Sequence, residues 1–151
     1  MNYRPALQEE TEEIFNLVQE TIKTIYPKYY PAEVVEFFCN HHSLAAITED
    51  IKQESVSVLT IEDKIVGTGS YVENHITRVY VAPTQQGNGY GTFIMETIER
   101  EIVKKHDKAY LDASLPAAGL YEKLGYHTVK HEKHLVENDV VLVYEVMEKI
   151  L

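Results

Sequence analysis

Three glycines alternate within five residues near the middle of the chain, in the segment Gly87–Gly91, which reads GNGYG. The β-type run His75–Ala82 and Pro83 precede them, and a stripe of isoleucines at every fourth residue from Ile94 to Ile102 follows. Glycine adopts positive φ without strain and lets the backbone approach a ligand closely. A helix beginning here leaves its first amides unpaired, with a partial positive charge. The segment therefore predicts a strand, a tight turn and a helix whose N-terminus suits a pyrophosphate.

Apolar periodicity and turn residues predict the other elements. Helices are expected over about residues 9–26, 32–42, 91–106 and 117–124, and strands over about residues 1–6, 57–61, 65–72, 75–82, 109–113, 126–134 and 139–147. The central strand–helix–strand unit implies two parallel neighbours, whereas the hairpins on either side imply antiparallel pairing. We therefore predict a mixed α/β fold with a mostly antiparallel central sheet and helices on both faces. The 151 residues predict a single domain, 1–151.

Two common phosphate-binding motifs do not fit this turn. A P-loop has a lysine after its last glycine, whereas Thr92 follows Gly91 here. A dinucleotide-binding fingerprint read from Gly87 needs a third glycine where Thr92 stands. A tight turn without a ligand is the alternative interpretation, but three alternating glycines exceed what such a turn needs.

Two motifs occur in order along the second half of the chain. The first, Q-x-x-G-x-G, is taken from Gln86–Gly91 and follows the strand residues Val79–Val81. The second is AAGLYEKLGY, at Ala117–Tyr126, about 30 residues later. With these motifs the sequence closely resembles the GNAT superfamily of N-acetyltransferases. The resemblance covers the whole chain in element order, and residues 75–126 in motif.

The resemblance implies a β-α-β-α acyl-CoA-binding core and direct transfer of the acetyl group of acetyl-CoA to a primary amine through a ternary complex. In that family the central strand pairs with the pantetheine arm, and the glycine turn wraps the pyrophosphate. By the same resemblance, the residues expected to hold acetyl-CoA are Val79, Tyr80, Val81, Gln86, Gly87, Asn88, Gly89, Tyr90, Gly91, Thr92, Ser114, Ala118 and Tyr121.

Three residues are candidates for proton transfer. The family commonly uses a tyrosine at the position of Tyr121 to protonate the leaving thiolate, and packing of the helix is its other interpretation. In the histone-acetylating branch a glutamate stands where this chain has His75. A histidine there is a plausible base, directly or through water, although a packing role is equally open. Glu73, two residues earlier, is expected on the same strand face, where it would orient His75 or replace it.

Net charge limits the partners. Lysine and arginine number 14 against 24 aspartates and glutamates, a formal net charge of −10. Nucleic-acid binders usually show a basic patch, so no nucleic-acid partner is expected. The early segment carries four glutamates where a signal peptide would be apolar, no apolar run is long enough to cross a membrane, and Cys39 is the only cysteine. A cytoplasmic protein with no membrane partner and no disulfide is therefore expected.

Histidines and aromatic residues outside the motifs receive weaker interpretations. By strand alternation, His127 and His131 share a face and His134 does not, so no zinc ligand set and no metal are predicted. Phe37 and Phe38 are expected in the core. Tyrosines 26, 29 and 30 and histidines 41 and 42 are instead candidates for the wall of an acceptor pocket.

The sequence does not identify the acceptor, which is either a small molecule or a peptide amine. The acidic net charge favours small cationic amines. A non-catalytic acyl-CoA-binding or sensing domain is the alternative function. A homodimer, with the C-terminal strands as a candidate interface, is a further expectation.

Overall fold

A seven-stranded sheet forms the centre of the computed structural model, which describes residues 1–151. The strands are β1 (Asn2–Pro5), β2 (Val56–Ile61), β3 (Lys64–Val72), β4 (His75–Val81), β5 (Lys108–Ala113), β6 (His127–Leu135) and β7 (Val141–Ile150). The helices are α1 (Thr11–Ile25), α2 (Ala32–His41), α3 (Leu44–Lys52), α4 (Tyr90–Ile102) and α5 (Leu115–Lys123). None of these helices combines the length and the apolar character that a membrane crossing requires.

The sheet order is β1-β2-β3-β4-β5-β7-β6, and only the β4–β5 pair is parallel. This confirms the predicted mixed, mostly antiparallel sheet. The parallel pair is short, since His75 pairs with Tyr110 and Ile76 with Leu111, and no later residues of the two strands pair. Thr77 is a bulge in β4, where the register with β3 shifts. Such bulges bend a strand, and here the bulge coincides with the point at which β4 and β5 separate.

The side chains of each strand alternate between the two faces of the sheet, and helices pack on both faces. Val58 of β2 packs into a core formed with α1 and α3, which includes Ile14 and Ile47. Its neighbour Leu59 packs into a second core formed with α4, α5 and β7, which includes Ile98. The two cores hold the central strands from both sides and so fix the position of β4.

Gly69 of β3 allows α4 to pack closely on the sheet. A Cβ atom at Gly69 would lie 2.6 Å from Ile94 Cγ2 and 2.6 Å from Tyr3 Oη. We expect Gly69→Ala to lower the free energy of unfolding by about 2 kcal/mol, because the core must be overpacked. Chemical denaturation measures this change.

Gly119 provides the matched control for this substitution. It is exposed within α5, and a Cβ there would meet nothing within 4 Å. Gly119→Ala should raise stability by up to about 1 kcal/mol, through helix propensity. Equal effects at Gly69 and Gly119 would contradict the close packing of α4.

The first half of the chain contains three helices where two were predicted. Helix α2 ends at His41, and Ser43 begins α3 by accepting a hydrogen bond from the Ala46 amide at 3.1 Å. Ile47 and Ile51 form the buried stripe of α3. This stripe has only two members, too few to establish a helical period from sequence.

The predicted alternation of histidines along β6 is wrong. Thr128 pairs with Met147 and Lys130 with Val146, so Val129 is a bulge with no partner. The extra residue reverses the alternation beyond it. His134 therefore shares a face with His127, and His131 lies on the opposite face.

Candidate active site

The glycine-rich turn has the backbone geometry that its sequence predicted. Gly87 and Gly89 have φ values of +84° and +81°, in the left-handed region that favours glycine. The Phe93 amide donates to the Gly89 carbonyl, which is the first helical hydrogen bond of α4. The amides of Tyr90–Thr92 precede it and have no helical acceptor. The start of α4 thus presents a row of donors with the positive end of the helix dipole.

Side chains of the turn fix its position against β4. The Gln86 side chain donates from Nε2 to the Val81 carbonyl at 3.1 Å. The Asn88 side chain donates from Nδ2 to the Gln85 carbonyl at 3.0 Å, inside the turn itself. These two side-chain hydrogen bonds therefore hold the turn in place.

The gap between β4 and β5 exposes backbone donors. The Ala82 amide bonds to the Val66 carbonyl of β3 at 2.9 Å. In antiparallel pairing, the backbone amides of successive residues point alternately toward and away from the partner strand. The Tyr80 amide therefore also points toward β3, whereas the amides of Val79 and Val81 point away from it. No residue of β5 pairs there, so both amides point into the gap.

Tyr121 lies on α5 at the edge of this gap, with only 7% of its surface exposed. Its hydroxyl makes no hydrogen bond to another protein group, so it is free to donate to a ligand. Burial raises the pKa of this phenol well above its ordinary value, with a smaller contribution from Tyr26. The group is therefore protonated at neutral pH and is a weaker acid than an exposed tyrosine.

The start of α5 is tied to the aromatic segment after α1. The Leu115 amide, at the beginning of α5, donates to the Tyr30 hydroxyl at 2.7 Å. The hydroxyls of Tyr26 and Tyr80 lie 3.1 Å apart, and Tyr26 also donates to Ser114 Oγ at 3.3 Å. These bonds position α5, and with it Tyr121, against β4.

Two cavities meet at this place. One, of about 420 Å³, extends from the gap to the glycine-rich turn and is hereafter the turn-side cavity. The other, of about 430 Å³, extends toward α2 and β6 and is hereafter the far cavity. Six residues line both cavities: Tyr26, Val79, Tyr80, Ser114, Ala117 and Tyr121. Two different molecules could therefore meet beside Tyr121.

Most of the residues expected to hold acetyl-CoA line the turn-side cavity. The residues that do so are Val79, Tyr80, Val81, Gln86, Gly87, Gly89, Tyr90, Gly91, Thr92, Ser114 and Tyr121. Asn88 and Ala118 do not line it, and Ala117 lies on its wall instead of Ala118. Leu120, which the sequence analysis did not name, also lines it. Tyr26, expected at the acceptor pocket, lines both cavities.

His75 and Glu73 do not lie together as predicted. His75 stacks on Tyr110 with ring centroids 4.3 Å apart, and its Nε2 lies 3.4 Å from Oδ2 of Asp112. Glu73 lies in the turn before β4 with φ of +55°, so strand alternation does not apply to it. Its carboxylate instead lies 3.2 Å from Nε2 of His106. Asp112, which the sequence analysis missed, is therefore the acidic neighbour of His75.

Two aromatic residues of α2, Phe37 and Phe38, line the far cavity. Phe38 also packs against the core formed with α1 and α3, as expected, whereas Phe37 belongs to neither core. Phe37 contacts His134 of β6 at a centroid distance of 4.8 Å. His41 and His42 also line this cavity, as proposed from sequence. No group of three or more histidine, cysteine, aspartate or glutamate side chains is arranged to hold a metal ion.

A buried polar network forms one wall of the far cavity. Arg78, with 6% of its surface exposed, donates from Nε to His42 Nδ1 at 3.1 Å and from Nη2 to Asp50 Oδ2 at 2.9 Å. His42 therefore acts as an acceptor and must be neutral. Burial, with smaller contributions from Arg78 and His41, lowers the pKa of His42 to about 3.

This network makes stability depend on pH. The unfolded chain binds a proton at His42 below about pH 6.5, whereas the folded protein does not until about pH 3. Stability is therefore lost as the pH falls through this window, by about 2 kcal/mol between pH 7 and pH 5. We expect His42→Asn, which keeps an acceptor for Arg78, to remove this loss.

Urea unfolding at both pH values measures the difference. The same substitution at His127, an exposed residue of β6, is the control. An unchanged pH dependence in His42→Asn would contradict a neutral, buried His42.

Comparison with known proteins gives the family. The model of the acetyltransferase (GNAT) domain matches residues 25–149. Among solved structures, the GCN5-related N-acetyltransferase of Rhodopseudomonas palustris aligns with a TM-score of 0.90 at 23% identity, over 99% of this chain and 95% of that one. PaiA N-acetyltransferase of Thermoplasma acidophilum, in complex with coenzyme A, aligns with a TM-score of 0.76 at 16% identity, over 99% and 98% of the two chains.

YncA of Salmonella typhimurium, solved with its cofactor acetyl-CoA, aligns with a TM-score of 0.70 at 16% identity, over 100% of this chain and 94% of that one. At these identities the three likenesses show the fold. No curated protein sequence matches the chain. The family match spans most of the sequence and agrees with the motifs and the sheet. The chain therefore belongs to the GNAT family of acetyltransferases.

Proposed function

We propose that this acetyltransferase moves the acetyl group of acetyl-CoA directly to a primary amine, with both substrates bound at once. The observation that carries the proposal is the junction of two cavities at Val79 and Tyr121. The turn-side cavity has the donors that a pyrophosphate requires, and the far cavity leaves room for an acceptor. No covalent acetyl-enzyme is needed, because the two cavities share a wall.

The residues of the turn-side cavity fit acetyl-CoA. The amides of Gly87–Thr92 would bind the pyrophosphate, and the gap beside Val79–Val81 would take the pantetheine arm. A side chain at Gly91 would crowd Leu120 Cδ2, 3.3 Å from an added Cβ, so the wall there is close-fitting. Two of the structural neighbours were solved as complexes, one with coenzyme A and the other with acetyl-CoA, which supports this assignment.

The residues beside the junction supply the chemistry of transfer. The amine nitrogen attacks the thioester carbonyl carbon, and the Val79 and Val81 amides are placed to donate to the oxygen that gains negative charge. The carbon–sulfur bond breaks, and Tyr121 donates its proton to the sulfur. One of the two protons on the attacking nitrogen then replaces the one that Tyr121 gave, and the other stays on the amide product. The products are the acetylated amine and the free thiol.

A primary amine arrives as an ammonium ion and must first lose a proton. We assign this proton to His75, directly or through water, because its ring faces the far cavity and is fixed by Tyr110. His75 lies four residues before Val79, roughly 13 Å along an extended strand, so a water relay fits better than direct transfer.

The test is release of free thiol from acetyl-CoA in the presence of a panel of primary amines. We expect release only when an amine is present. Double-reciprocal plots of the initial rate against one substrate, at several fixed concentrations of the other, should give lines that intersect, as a ternary complex requires. Parallel lines would indicate a covalent acetyl-enzyme and overturn direct transfer. Binding of acetyl-CoA without thiol release for any amine would support the non-catalytic sensing function instead.

A further inference from the structure

The charge of the far cavity comes from one residue. Asp112 carries the only carboxylate among the residues that line it. Arg78 is the only permanent cation there, and its charge is already paired with Asp50 at 2.9 Å. The carboxylate of Asp112 has only the His75 ring as a titratable neighbour within ion-pair distance. The cavity therefore presents one negative charge that a ligand can neutralise.

Asp112 stands where β4 and β5 begin to separate. It follows Leu111, the last β5 residue paired with β4, and precedes Ala113 and Ser114 on the way to α5. The neighbouring strand β7 presents Val146 opposite Asp112. Its side chain is 48% exposed, so the carboxylate is open to a ligand. A cation bound there would lie between His75 and the junction of the two cavities.

The rest of the far cavity is mainly apolar and aromatic. Phe37 of α2 and His134 of β6 contact each other at 4.8 Å and join these two elements along the cavity wall. Leu142 and Tyr144 of β7 lie on the same sheet face as Asp112 and also line the cavity. Flat apolar groups stack well on such rings, and a second charged group placed among them would lose its hydration without gaining an ion-pair partner.

We propose that the acceptor is a small primary amine with a single positive charge and an apolar or aromatic body, held by Asp112 through its ammonium group. This inference rests on the proposed function and names the substrate class of the same site. A second ammonium group would lie among rings with no carboxylate to pair with. A carboxylate on the carbon beside the amine would lie close to Asp112 and be repelled. Diamines and free amino acids are therefore poor acceptors.

Asp112 also completes the path of the first proton. Its carboxylate holds the ammonium group by charge-assisted hydrogen bonds, and the imidazole of His75 lies 3.4 Å away. The ammonium gives one proton to His75 through the water relay described above, and His75 becomes imidazolium beside the Asp112 carboxylate. The neutral amine then attacks the thioester as described above, and His75 passes its proton to water.

The experiment measures binding, so that it does not depend on turnover. The protein is saturated with coenzyme A and titrated by calorimetry with phenethylamine, phenylalanine and diaminobutane. Phenethylamine should bind at least about tenfold more tightly than either of the others. Asp112→Asn should weaken phenethylamine binding by about 10-fold to 100-fold. It should also reduce the ratio of the affinities for phenethylamine and phenylalanine. Coenzyme A binding should be unchanged.

Glu137→Gln is the matched control, since it removes one negative charge from an exposed turn between β6 and β7. It should leave all three affinities as in wild type. Equal binding of the three amines by the wild-type protein would overturn the proposal even if Asp112→Asn fails to fold. Unchanged phenethylamine affinity in a folded Asp112→Asn variant would also overturn it. Selective binding without thiol release would leave this inference standing and contradict the proposed function.

Discussion

Gly89→Glu is expected to lower the affinity for acetyl-CoA by at least about 100-fold. Two effects act together. Gly89 has φ of +81°, where any side chain is strained, and it begins α4. A carboxylate at this helix N-terminus would also occupy the anion site and repel the pyrophosphate. Calorimetric titration with acetyl-CoA measures the loss.

Gly119→Glu is the control for the added charge. Gly119 is exposed on α5, and it lines neither cavity. This variant should bind acetyl-CoA within about twofold of wild type, since an exposed charge outside the cavity is largely screened. Retained affinity in a folded Gly89→Glu protein would place the pyrophosphate elsewhere.

Tyr121→Phe is expected to lower kcat by about 100-fold while the affinity for acetyl-CoA is retained. The substitution removes only the hydroxyl, which makes no hydrogen bond within the protein. Stability should therefore change little, whereas the sulfur loses its proton donor. Steady-state rates of thiol release and calorimetry on the same samples separate these effects.

Tyr126→Phe is the matched control, because it removes the same hydroxyl from a neighbouring ring. The ring centroids of Tyr121 and Tyr126 are 6.1 Å apart, and Tyr126 lines neither cavity. Its hydroxyl donates to Glu99 Oε1 at 3.0 Å, so its loss should affect stability and leave kcat unchanged. Equal kcat values for wild type and Tyr121→Phe would remove the proton-donor role.

Local signals made much of the fold predictable. The turn at Gly87–Gly91 joins a β-branched run to a helical stripe, and both its glycines and the helix start follow from backbone sterics. The hairpin of β2 and β3 was equally clear, because a short polar turn separates two β-branched runs. Insertion of β7 between β5 and β6 was not predictable, since pairing between distant strands leaves no local pattern.

The far cavity was harder to predict because it depends on breaks in local periods. Bulges at Thr77 and Val129 change which side chains share a face, and sequence alternation cannot reveal a single inserted residue. Glu73 was misplaced because strand alternation was applied to the turn that precedes β4. Asp112 did leave a signal, as the only charged side chain in the apolar segment Ala109–Ala113. A charge within such a strand calls for a partner.

A crystal structure of the protein with coenzyme A tests the central claim most directly, through the distance between the thiol sulfur and Tyr121 Oη. We predict that the sulfur lies within hydrogen-bonding distance of this oxygen, with the pyrophosphate against the amides of Gly87–Thr92 and the pantetheine arm in the gap between β4 and β5. Coenzyme A bound outside the turn-side cavity, or with its sulfur remote from Tyr121, would contradict the account.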